Sequence, residues 1–101
     1  MGSTRQKPRL GTRPVVQRPR LYKVMLLNDD FTPRDFVVSV LQAEFRMDEG
    51  AALAVMTTAH QRGTCVVAVF PRDVAETKAT RATDMAKAEG FPLLFSTEPE
   101  E

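Results

Sequence analysis

Apolar residues fall into short blocks along the chain, separated by proline, glycine and acidic residues. Residues 21–28, LYKVMLLN, put Tyr22, Val24 and Leu26 on one side of an extended chain and Leu21, Met25 and Leu27 on the other. A nearly continuous apolar run of this length predicts a well-buried strand. Thr32, Pro33 and Asp35 then read as a helix start, with a threonine cap, proline at the first helical position and an acid at the third. Phe36, Val37, Val40, Leu41 and Phe45 follow at helical spacing. Asp48 is placed to cap a second helix whose inner face carries Ala52, Leu53, Met56, Ala59 and His60, and Gly63 supplies its stop. TCVVAVF, 64–70, is rich in β-branched residues and apolar, which predicts a second buried strand ending at Pro71. Asp73 and Glu76 offer an Asp-x-x-Glu cap for a helix over 74–89, with Val74, Ala75, Ala79, Ala82, Met85 and Ala86 inward and Gly90 closing it. FPLLFST, 91–97, predicts a third strand, and Pro92 places it at a sheet edge or marks the strand's first residues. The order β-α-α-β-α-β predicts an α+β domain, with three strands in one small sheet and helices over one face.

Composition bounds what such a domain does. A chain of 101 residues makes one small domain with a modest core. No apolar run is long enough to span a membrane, and the basic N-terminus is not followed by the apolar stretch of a secretory signal. The single cysteine, Cys65, has no internal partner, so the cytoplasm is the expected compartment. The formal charge of +1 hides an asymmetry. Residues 1–20 carry six basic residues, three prolines and no acid, whereas residues 21–101 carry 8 basic and 13 acidic residues, a balance of −5. The first segment buries too little apolar surface to fold and is expected to be a disordered basic arm; it either solubilises the domain or touches a partner. The core is expected over 21–97 and a loose acidic tail over 98–101. A basic arm on a small α+β body would also suit a nucleic-acid-associated protein, but the negative body and the lack of surface aromatics oppose that.

Asn28-Asp29-Asp30 is the unusual feature. Two adjacent acids and an amide at the end of a buried strand suit a turn, because Asn and Asp bond their own backbone. They also suit a cleft that holds something. His60, the only histidine, reads either as a half-buried side chain satisfied within the fold or as a further contributor to that cleft. One histidine and two acids without spaced partners make a poor metal set. No serine or cysteine has an evident base, so neither an enzyme nor a cofactor is expected. Asn28, Asp29, Asp30 and neutral His60 share one property, the capacity to accept hydrogen bonds. With Val37, Met56 and Leu93 as apolar wall, they suit a protonated amine attached to a hydrophobic side chain, such as the first residue of a peptide.

YKVMLLNDDFTPRDFVVSVL resembles the signature of the ClpS adaptor family, roughly Y-K-V-x-L-x-N-D-D-x-T-P. AETK at 75–78 and PLL at 92–94 resemble two further family segments, in order. The resemblance covers about residues 19–97. It implies a three-stranded antiparallel sheet against three helices. It also implies a monomeric adaptor without chemistry of its own, acting without nucleic acid or membrane. Such adaptors capture proteins with N-terminal Leu, Phe, Tyr or Trp and deliver them to a ClpA- or ClpC-type AAA+ unfoldase. By position, Asn28, Asp29 and His60 match residues that hold the α-amino group, and Asp30 and Thr32 match the neighbouring loop. Val37, Met56 and Leu93 match the pocket wall. Asp73, Glu76 and Lys78 lie where family members meet the unfoldase. Two pocket positions depart from the usual pattern: Arg34 stands where Met is common, and Ala59 where Val is common. In this the chain resembles a divergent second copy of the adaptor.

Overall fold

Three strands form a sheet with one covered face. The computed structural model describes residues 18–101. Its elements are β1 (Leu21–Leu27), α1 (Arg34–Phe45), α2 (Glu49–Arg62), β2 (Thr64–Pro71), α3 (Arg72–Ala88) and β3 (Leu94–Pro99). The strand order is β2-β1-β3, and both pairings are antiparallel. The expected α+β architecture is therefore present. β1 is the central strand, in keeping with its apolar residues on both sides. The reading of residues 1–20 as a disordered arm lies outside the described residues, save for exposed Arg18, Pro19 and Arg20.

The core sits between the sheet and the helices. Val24 and Leu26 from β1, Val67 from β2 and Phe95 from β3 meet Val37, Val40 and Leu41 of α1 and Ala52 and Ala59 of α2. Leu93, just before β3, and a stripe of Ala75, Ala79, Ala82 and Ala86 on α3 complete it. Spacings of four, three and four keep these methyls on one face. Their small size lets α3 lie close to the sheet, and a larger side chain there would overpack it at a cost of about 1–3 kcal/mol.

β2 is an edge strand and not the fully buried one its composition suggested. The helices cover one face only, which leaves Val66 and Val69 42% and 37% exposed on the other. β-branched content reports extended backbone, not the number of covered faces. The pairing slips between Val24, which faces Ala68, and Met25, which faces Val66, so Val67 is the extra residue of a β-bulge and turns into the core. β3 begins later than expected, after Pro92, and runs through Glu98 and Pro99 opposite Lys23 and Tyr22. The Glu100 N–H then donates to the Leu21 carbonyl at 2.9 Å, so the stretch read as a loose tail continues the edge strand.

The helix starts divide into two kinds. Asp48 caps α2 as expected, its Oδ1 accepting the Ala51 N–H at 2.7 Å. The caps expected at Thr32 and at Asp73 do not form. Pro33 and Pro71 occupy the N-cap positions of α1 and α3 with extended ψ, and neither helix has a side-chain cap. Thr32 bonds Asp29 instead. Asp73 lies one residue inside α3, and Glu76 pairs with Arg72 at 3.1 Å. Three residues expected to face inward do not: Val74, Leu53 and His60 are exposed. On α2 the inward stripe is Ala52, Val55, Met56 and Ala59, which leaves positions 53 and 60 on its flank.

Glu44 is the one buried charged residue in the described core, 7% exposed. Lys78 Nζ and Arg81 Nε reach its two carboxylate oxygens, each at 3.3 Å, and Lys78 also donates to its backbone carbonyl at 2.9 Å. This clamp ties α1 to α3. Removing either the carboxylate or Lys78 would strand a poorly solvated charge.

Candidate functional site

The site forms where β1 ends beside the end of α2. Gly63 closes α2 at φ 90, a value that glycine adopts without steric cost. Its carbonyl accepts the Asn28 N–H at 2.9 Å. That single bond brings the Asn-Asp-Asp stretch alongside His60 on the last turn of α2. The loop that follows is held by Asp29. Its Oδ1 accepts the Phe31 N–H and the Thr32 N–H, both at 2.8 Å, while the Thr32 hydroxyl lies 3.0 Å from Oδ1 and 2.9 Å from Oδ2. The turn and the cleft suggested by this stretch are thus one object. Asp29 builds the turn, and the turn fixes the direction of its own carboxylate.

Two connected cavities open here. The outer mouth, about 180 Å³, is lined by Asn28, Asp29, Asp30, Thr32, Arg34, Val37, Met56 and His60. The inner slot, about 20 Å³, is lined by Leu26, Leu27, Asn28, Asp29, Val37, Met56, Ala59 and Leu93. Asn28, Asp29, Val37 and Met56 line both, so hydrogen-bond acceptors stand where the polar mouth narrows into the apolar slot. All ten residues expected to recognise a ligand line one cavity or the other. Leu26 and Leu27 were missed. Their apolar character marked them as strand, and only the position of the strand's end places them beneath the slot.

His60 is exposed at the mouth and not half-buried, which leaves its imidazole accessible to a ligand. Met56 is half-buried between mouth and slot, and its unbranched side chain can move more freely than Val37 or Leu93. Ala59, 1% exposed, forms part of the slot's inner wall.

The residues expected to meet an unfoldase lie apart from this cleft. Asp73 and Lys78 line a shallow groove with Glu44, Val74, Thr77 and Arg81. Glu76 lines another concavity, between α3 and β3, of about 460 Å³. Its lining brings Thr80, Thr83, Ser96 and Thr97 together with the Glu76 and Asp84 carboxylates over Ala79 and Phe95. Lys78 has an internal role that the sequence did not show: its ammonium serves Glu44 and lies over the rings of Phe45 and Phe70.

Catalytic chemistry has little support in this arrangement. Burial pushes the Cys65 thiol above its usual range, against the opposing effects of a Thr58 hydrogen bond and the Arg62 charge, so its nucleophilic form is suppressed. No group of three or more metal-ligating side chains occurs among the described residues. No helix among them is long and apolar enough to cross a membrane.

An acceptor-lined mouth beside an apolar slot, on a small α+β body, suits a binding module. The family described as ATP-dependent Clp protease adaptor protein ClpS matches residues 17–96. The ATP-dependent Clp protease adapter protein ClpS 2 of Mesorhizobium japonicum is 66% identical over 95 residues, covering 94% of each chain. ClpS 1 of Rhodopseudomonas palustris is 71% identical over 86 residues, covering 85% of this chain and 84% of its own. A solved structure of Agrobacterium tumefaciens ClpS2 bound to L-phenylalaninamide superposes with a TM-score of 0.81 at 64% identity, covering 82% of this chain and all of that one. The chain belongs to the ClpS family: it is an adaptor of the Clp protease and not an enzyme.

Proposed function

We propose that this adaptor captures proteins through a free N-terminal amino group and a hydrophobic first side chain, Leu, Phe, Tyr or Trp. It then delivers them to a ClpA- or ClpC-type AAA+ unfoldase in the cytoplasm, acting as a monomer. The observation that carries this reading is the shared lining of mouth and slot. Asn28, Asp29 and His60 accept from the ammonium, Asp30 and Thr32 shape the loop around the first peptide bond, and Val37, Met56, Ala59 and Leu93 take the side chain. Phenylalaninamide, the ligand of the Agrobacterium relative, combines the same two groups, a free α-amine and an apolar ring. Asp73 and Glu76 are exposed on α3, Glu76 paired with Arg72, and half-buried Lys78 follows on the same helix; these are the residues that would meet an unfoldase. In this reading the basic residues 1–20 act in delivery.

The test is a pair of peptides starting with Leu or Phe, one of each pair acetylated. Acetylation removes the charge and at least one donor, leaving desolvated acceptors unpaired at about 1–3 kcal/mol per lost bond. The acetylated twin is expected to bind at least about tenfold more weakly. Equal affinities would end the amine-capture reading.

A further inference from the structure

The mouth carries one charge that capture of an amine and a side chain leaves unused. Arg34 opens α1, is exposed and lines the mouth. It lies one helical turn before Val37, a wall of both mouth and slot, so its stem rises from the α1 bank of the cleft to the rim. Among the described residues it enters no ion pair; those present are Arg72–Glu76, Lys78–Glu44 and Arg81–Glu44. The acids of the mouth, Asp29 and Asp30, stand on the loop that follows β1. Asp35, the acid of α1's first turn, does not line the mouth.

We propose that Arg34 reads the second residue of the captured N-terminus and favours a carboxylate there over a cation. This rests on the N-terminal capture reading. A ligand whose ammonium lies against Asn28 and Asp29, with its first side chain in the slot, must carry its second residue outward across the rim. The ammonium offsets one of the two negative charges of the Asp29–Asp30 bank. Among the described residues, Arg34 is the one arginine or lysine that lines the mouth. Its guanidinium is a planar fork suited to a carboxylate and reaches it on a flexible stem. Because the rim is open to solvent, the effect is modest, about twofold to fivefold, and screened by salt.

The experiment uses the full chain, three labelled peptides that differ only at residue two, beginning Leu-Glu, Leu-Gln and Leu-Lys, and an acetylated twin of the Leu-Gln peptide. Anisotropy is read at low and high salt for the native protein, Arg34→Gln and the control Arg72→Gln. The native protein is expected to bind Leu-Glu about twofold to fivefold more tightly than Leu-Lys. That ratio should fall towards one at high salt and in Arg34→Gln, and persist in Arg72→Gln, a position that lines neither the mouth nor the slot. A native ratio of one or less overturns the proposal, as does a ratio that Arg34→Gln leaves untouched. If the Leu-Gln peptide binds no better than its acetylated twin, the capture reading itself has failed and this inference falls with it.

Discussion

The chain passes from strand to helix twice on this side of the fold, and the two junctions are built differently. At the second, β2 runs into α3 without a loop: Pro71 is the last residue of the strand and Arg72 the first of the helix. Nearby polar side chains are spent along the helix, Arg72 on Glu76. At the first, six residues, 28–33, separate β1 from α1. There the polar side chains are spent on the loop itself, through Asp29 and Thr32. Both helices start behind a proline with extended ψ and no side-chain cap. What differs is the intervening loop. The tight junction has no loop in which to hold acceptors, whereas the longer one holds them over an opening between β1, α1 and α2. A binding site needs a segment whose hydrogen bonds fix it locally while leaving lone pairs outward, and only the first junction has one.

The comparison breaks most sharply at Asp29. Asp29→Ala removes the acceptor for two backbone N–H groups and the Thr32 hydroxyl, together with a charge facing the ammonium. Hydrogen bonds to charged groups are worth about 1.5–3 kcal/mol each, so capture of Leu- or Phe-terminated peptides should weaken by more than about tenfold. Asp29→Asn keeps a carbonyl acceptor for the loop and should fall between. Native-like affinity in the alanine variant would reduce Asp29 to a turn residue and erase the contrast between the junctions.

That contrast also marks what the residues disclosed in advance. Element order was legible because each apolar block has a clear period and a stop, and Gly63 and Gly90 adopt positive φ where helices were expected to end. The acceptor set was legible because Asn28, Asp29 and Asp30 are out of place at the end of an apolar strand. The caps at Thr32 and Asp73 were misread because proline takes the N-cap position in both helices, one residue later than expected in α1 and two residues earlier in α3. The burial of Glu44 was not legible at all. Its partners, Lys78 and Arg81, lie more than thirty positions away, and helical periodicity within α1 has no means of naming them. Leu53 and His60 fell outside the inward stripe because α2 packs through alanines, whose weak apolar signal does not locate the buried face to within one residue.

A smaller effect is expected at Met56, the half-buried wall shared by mouth and slot. Met56→Ala removes apolar contact from the first side chain of the ligand and enlarges an opening that is narrow without one. Leu-terminated peptides should bind several-fold more weakly, while bulkier or branched first residues should lose less because they fill the added space. A panel of peptides varying only at residue one reads this directly. If the order of preference does not change, Met56 belongs to the core and the first junction's opening is bounded by Val37 and Leu93 alone.

The smallest effect belongs to the second junction, where Arg72 and Glu76 separate two roles. The pair spans one helical turn on an exposed surface, where such contacts contribute little to stability. Arg72→Ala and Glu76→Ala remove the same ion pair, so any consequence of the pair itself must appear equally in both. Both variants should bind Leu-terminated peptides like the native chain, because neither residue lines the mouth or the slot. Their unfolding midpoints should shift little, Arg72→Ala more than Glu76→Ala because the Arg72 guanidinium also lies 5.5 Å from the centroid of the Tyr22 ring. An unfoldase contact through the Glu76 carboxylate predicts an asymmetry: binding to the unfoldase's N-terminal domain should weaken in Glu76→Ala and hold, or improve, in Arg72→Ala, which frees that carboxylate. Equal loss in both would mean that the ion pair matters only through the start of α3. No loss in either would remove Glu76 from the delivery surface and leave Asp73 as the exposed acid at that junction to carry the contact.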